Sequence, residues 1–162
     1  MKTKKIISNT IIILLLLLWI PVSIDKILNF NSFKSGILRQ PLGEPIALFL
    51  IYSLPALEVS TVVLLIIEKF RTWGLIVSSI LMFAFTTYVA LALLGTWDKL
   101  PCACGSVISS MSWYQHLWFN LFFLTISVCG WRLNINSKQN QASIMHKKFY
   151  VKHIRDQKTT EP

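Results

Sequence analysis

The sequence predicts an all-α integral membrane protein, a four-transmembrane-helix bundle with a short interfacial helix between spans one and two. Three observations carry this. Of 162 residues, 54% are hydrophobic and only 14% charged. The mean hydropathy is +0.57, more apolar than a soluble core requires. Four runs, 6–24, 46–67, 73–95 and 113–133, approach the ~20 apolar residues that cross a hydrocarbon layer. Four such helices make one bundle, 1–133, followed by a basic tail, 134–162.

The first run follows Lys2, Lys4 and Lys5, a flank that also suits a cleavable signal peptide. No small-x-small cleavage pattern follows, and the run passes through Trp19 and Pro21 into Ser23-Ile24-Asp25-Lys26, so it is read as an uncleaved first span. Asp25 and Lys26 then form a surface pair at the outer boundary, of the kind worth under ~1 kcal/mol.

From Asp25 to Pro45 the chain is too polar to cross and too apolar for a solvated linker. Ile27, Leu28, Phe30, Phe33, Ile37 and Leu38 approximate one helical face, which suits a short helix in the headgroup layer. An irregular outer loop dipping into the bundle is the alternative. Pro41 and Gly43-Glu44-Pro45 end the segment.

Glu68 to Arg71 is a tight turn, so spans two and three are antiparallel neighbours. Ser112 and Gln115 have capping-box spacing and open the fourth span. Trp97, Trp113, Tyr114 and Trp118 read as interfacial anchors. After Asn134 the sequence turns polar; the tail, with an amphipathic piece around Ile144 to Ile154, is expected to rest on the membrane or to be disordered.

Charge sets the expected orientation, because Lys and Arg flanks stay cytoplasmic. With the N-terminus inside, Lys2, Lys4, Lys5, Lys69, Arg71, Arg132, Lys138, Lys147, Lys148, Lys152, Arg155 and Lys158 fall inside, and Lys26, Lys34, Arg39 and Lys99 outside. Twelve against four puts both termini in the cytoplasm and the loop 96–112 on the periplasmic or extracellular side of a plasma (inner) membrane. The formal net charge of +9 is thus an orientation device and a face for anionic lipid. Nucleic-acid binding is not expected, since no basic motif with base-stacking aromatics lies in a soluble segment.

Pro101-Cys102-Ala103-Cys104-Gly105 lies in that outer loop. A C-x-C spacing can just bring two α-carbons within disulfide range, in a small strained ring that closes almost no loop. Such a bond suits exchange better than stapling. Soft-metal binding, as of Cu(I), is the rival for the same thiols. His116 would then be a third ligand, or else the base that helps form a thiolate; a polar interfacial anchor is its plain alternative. Lys99 is the nearest cation, and Cys129 reads as a small packing residue.

Within the second span Glu58 is expensive unless paired or protonated. His116, Asn120 and Ser127 share one face of the fourth span, and Ser127 lies at a depth similar to that of Glu58. The expected contact is therefore between spans two and four. It would be either an intramembrane polar site for a proton or cofactor, carried by Glu58 and Asn120, or a hydrogen bond that fixes packing. Pro55 would loosen the helix beside it. A small-molecule transporter rests on Glu58 and this seam alone.

Ser23-Ile24-Asp25-Lys26 with Asn29-Phe30, Leu54-Pro55-Ala56-Leu57-Glu58, Pro101-Cys102-Ala103-Cys104-Gly105, and Trp113-Tyr114-Gln115-His116 ending in Asn120 together resemble the MauE/DoxX-like redox-associated membrane proteins. The resemblance covers about 10–133 and implies a four-helix membrane protein linked to disulfide chemistry outside the cytoplasm, in the MauE branch to maturation of a disulfide-rich methylamine dehydrogenase subunit. It carries Cys102 and Cys104 over as the redox pair. The resulting expectation is a thiol-disulfide redox protein that serves a non-cytoplasmic client. Its partners would be the lipid bilayer and a thioredoxin-like protein or cysteine-rich periplasmic client. The alternative is a scaffold or metal-delivery partner of a maturation complex. No cofactor is evident; a quinone as electron acceptor has no motif here.

Overall fold

A computed structural model describes residues 2–40, 43–95 and 112–158. Five α-helices account for nearly all of them: α1 (Lys2–Leu28), α2 (Phe30–Leu38), α3 (Glu44–Ile66), α4 (Arg71–Leu93) and α5 (Trp113–Lys158).

Four of the helices form a ring in which α1 packs on α3, α3 on α4, α4 on α5 and α5 on α1. The diagonal pairs, α1 with α4 and α3 with α5, have no backbone approach among the described residues. Ile11, Ile12, Leu15, Trp19, Leu65, Leu75, Leu81 and Met82 form the main apolar core. Phe33 and Ile37 of α2 pack with Ala47 and Ile51 of α3 in a second cluster. The expected short helix between spans one and two is thus present. Its buried face is Phe33 and Ile37 alone, because Ile27 and Leu28 belong to the end of α1 and are exposed, as is Leu38.

Lys5–Leu28, Glu44–Ile66 and Glu68–Leu93 are long and apolar enough to cross a membrane. Three of the four expected spans are thus found. α5 is not among them, and its sequence shows why: Gln115, His116, Asn120 and Arg132 interrupt its apolar run. It still packs along the bundle, with Ser127 bonded to Ser78 and Asn134 accepting from Thr72 Oγ1. Nor does it stop near Leu133. The expected loose tail is instead a helical continuation to Lys158, consistent with the absence of Gly and Pro between Trp131 and Lys158.

Local chemistry sets the helix ends. Ser112 and Gln115 close the expected capping box: Gln115 N donates to Ser112 Oγ at 3.3 Å and Ser112 N to Gln115 Oε1 at 2.9 Å. The α3–α4 turn at Glu68–Phe70 is a single 3-10 turn, over which Arg71 Nε donates to Leu65 O. That satisfies one of the carbonyls left free at the end of α3. α4 ends at Gly95, whose φ of +72° is a left-handed conformation that costs little without a Cβ.

Pro21 and Pro55 lie inside α1 and α3, where each removes one helical N–H donor. Hydroxyls nearby bond back to their own helices: Ser23 to Trp19 O at 2.7 Å and Thr61 to Leu57 O at 2.8 Å. Polar side chains are so accommodated where water is excluded.

Gly74 sets the closest helix approach. A Cβ there would lie 2.9 Å from Leu65 N and 3.0 Å from Leu64 C, both backbone atoms that cannot turn aside. At Gly130 the obstacle is the Ile11 side chain, at 2.8 Å from Cγ2. Small residues let α3 meet α4, and α5 meet α1, at short range. Gly74→Val is expected to destabilise the bundle by ~1–3 kcal/mol in detergent unfolding. Gly130→Ala should cost less, since Ile11 can rotate; equal costs would refute this account of the α3–α4 contact.

Candidate functional site

Glu58 is fully buried at 0% exposure, and its Oε1 accepts a hydrogen bond from Lys26 Nζ. Lys26 is itself only 4% exposed. The surface role expected for Lys26 is therefore wrong: α1 continues past Ile24 to Leu28, and that last turn carries Lys26 into the bundle against α3. Its ammonium also stands 5.4 Å from the ring centroids of both Phe33 and Phe85. A carboxylate on one side and two aromatic faces on the others replace the hydration that the cation loses.

The expected contact between Glu58 and Ser127 is not made, because α3 and α5 are diagonal in the ring. Ser127 instead pairs with Ser78 of α4 at 3.0 Å, and Trp19 Nε1 donates to Ser78 Oγ at 2.9 Å. Trp19, from α1, thus reaches across the diagonal to α4.

Helical register links this serine layer to the ion pair. Seven residues, about two turns, separate Trp19 from Lys26 on α1, Ser78 from Phe85 on α4 and Asn120 from Ser127 on α5. α1 and α4 run opposite to α5, so Lys26, Phe85 and Asn120 come to one level. Asn120 is 3% exposed and its Nδ2 has no hydrogen-bond partner; Glu58 Oε2 has none either. One orphan donor and one orphan acceptor therefore share a buried layer, each costing about 1–3 kcal/mol if left unmet.

His116 lies one turn nearer the start of α5 than Asn120 and is 4% exposed, so it is a buried group and not a surface anchor. Tyr88 Oη donates to Gln40 Oε1, tying the end of α2 to α4 at the same end of the bundle. Tyr114 and Trp118 face outward, as interfacial aromatics would. Cys129 is a free cysteine and is exposed on α5, against the expected packing role.

Cys102 and Cys104, with Trp97 and Lys99, lie outside the described residues. Their segment joins Gly95 at the end of α4 to Ser112 at the start of α5, at the end of the bundle that holds His116 and Tyr88. Among the described residues no three His, Cys, Asp or Glu side chains cluster as metal ligands.

Lys26 and the pairings of Trp19 and Gln40 escaped the sequence reading. The signal for Lys26 was available: a lone cation between Ile24 and Ile27, within one helical turn of an apolar run, in a chain with one acid deep in another span.

Either Lys26→Met or Glu58→Ala should strand a buried charge and lower stability by ~3 kcal/mol or more. The double variant Lys26→Met/Glu58→Leu should recover most of the loss in the same detergent unfolding assay. Additive losses would show that the two residues do not act as a pair.

A family model described as Methylamine utilisation protein MauE matches residues 4–133. No curated protein and no solved structure matches the chain.

Proposed function

The chain belongs to the MauE family of membrane proteins, and on that premise we propose that it is a thiol-disulfide redox protein of the plasma (inner) membrane which supports disulfide formation in a non-cytoplasmic client. The observation that carries the reading is the placement of Pro101-Cys102-Ala103-Cys104-Gly105 in the connection between α4 and α5, bounded by the Gly95 cap and the Ser112 capping box.

In this reading α5 is the fourth span, 113–133, and the basic 134–162 is a cytoplasmic extension. Both termini are cytoplasmic and the cysteine loop faces the periplasm or exterior. Burial of Lys26 supports this orientation. Of the four cations assigned outside, one is inside the bundle, so 4 − 1 leaves Lys34, Arg39 and Lys99 against twelve.

The exchange balances without a further reagent. A client thiolate attacks one sulfur of the Cys102–Cys104 disulfide, forming a mixed disulfide and releasing the other sulfur as thiolate. The second client thiolate then attacks the client sulfur of that mixed disulfide. The client leaves oxidised and Cys102 and Cys104 are left as thiols. His116, at the start of α5, is the histidine nearest in sequence to the loop and takes or returns the thiol proton. A thioredoxin-like protein or a cysteine-rich client fits the exchange. Family membership makes methylamine utilisation the setting in which to look for it.

Cys102→Ser and Cys104→Ser should each abolish client oxidation while membrane expression is kept. Alkylation and mass spectrometry of non-reduced membranes should find the wild-type pair joined. Two free thiols under all conditions, with the client complex intact in the serine variants, would instead favour a scaffold or metal-delivery partner.

A further inference from the structure

The buried layer below the start of α5 has one feature that helix packing alone leaves unexplained. Glu58 Oε2 is a bare acceptor and Asn120 Nδ2 a bare donor, on helices that face each other across the ring without touching. In the layer below, Trp19 reaches across between the same two helices and its indole N–H is met by Ser78. At the level of Asn120 the two orphans have no such bridge among the described residues.

We propose that this layer binds the head of a lipid-soluble quinone, held between Asn120 and Glu58. The argument is chemical. A quinone oxygen is a carbonyl that accepts a hydrogen bond, and reduction makes it a hydroxyl that donates one. Asn120 Nδ2 suits the first state and Glu58 Oε2 the second, so the same site receives both. Phe85 and Phe33, already against Lys26, supply apolar wall for a ring. Lys26 holds Glu58 Oε1, which orients the carboxylate and leaves Oε2 for the ligand. The ligand arrives through the bilayer, in which it dissolves.

This inference rests on the thiol reading and supplies its missing oxidant. Cys102 and Cys104 lose two S–H bonds and gain one S–S bond; the two electrons and two protons pass to the two ring oxygens, giving a hydroquinone. The pair is then oxidised again and ready for a client.

The full chain in lipid nanodiscs, titrated with a short-tailed benzoquinone, tests the site. Wild-type protein should bind saturably and lower the carbonyl stretching frequency of the bound quinone in infrared difference spectra. Asn120→Leu, which removes the donor at similar volume, should weaken binding roughly tenfold and abolish that shift for the Asn120-bonded carbonyl. Reduced wild-type protein should form one hydroquinone per cysteine pair, and Cys102→Ser/Cys104→Ser should bind equally well and form none.

Unsaturable partitioning with an unshifted carbonyl, the result expected if the orphans meet ordered water only, would overturn the site. So would binding unchanged by Asn120→Leu. In either case continued client oxidation with another oxidant would leave the thiol reading standing. Asn120-dependent binding without thiol oxidation would uphold the site and defeat the thiol reading.

Discussion

The Lys26–Glu58 pair is the constraint around which the bundle is organised. Each group alone would cost several kcal/mol inside an apolar helical bundle, and neither can reach water. Their pairing fixes the end of α1 against the middle of α3. That in turn places α2, whose Phe33 faces the same ammonium, and sets the height of α4 through Phe85. A hydrophobic pair would pack as tightly but would tolerate slippage by a residue or a turn. An ion pair between two aromatic faces does not, because slippage would leave a charge unmet.

This register is what gives the polar residues of α5 their significance. Ser127 meets Ser78, which also accepts from Trp19, while the Nδ2 of Asn120, two turns nearer the start of α5, has no hydrogen-bond partner among the described residues. A bundle that satisfies one layer so fully and leaves a donor and an acceptor bare in the next is treating those layers differently. The unsatisfied layer lies toward the end from which the Cys102 and Cys104 segment leaves α4 and returns to α5. Lys26, Glu58, Asn120 and His116 thus lie on the side where thiol chemistry is proposed, while a third bare group, Trp131 Nε1, lies toward the opposite end.

Much of the fold was legible in the sequence because apolar run length and capping chemistry are local properties. The short helix after the first span, the tight turn at Glu68 to Arg71 and the capping box at Ser112 are all visible within a few residues. The partner of Glu58 was not, for a physical reason. Depth along a span can be counted, but the order of helices around a ring cannot, and α5 proved diagonal to α3. Lys26 was hidden by the usual preference of a lysine after an apolar run for the headgroups. The boundary of α5 was obscured similarly: loss of hydropathy after Leu133 marks a change of surroundings, and a helix can continue through such a change when no Gly or Pro interrupts it.

Trp19 has a consequence of a different kind. Its side chain reaches from α1 to Ser78 of α4 and is almost wholly buried, so an indole stands across the axis of the ring at that level. A continuous water column cannot pass an indole packed in this way. The polar groups at Glu58 and His116 are thereby insulated from the opposite end of the bundle. In the thiol reading, a proton taken up on the loop side meets this indole before it can reach the opposite end of the bundle.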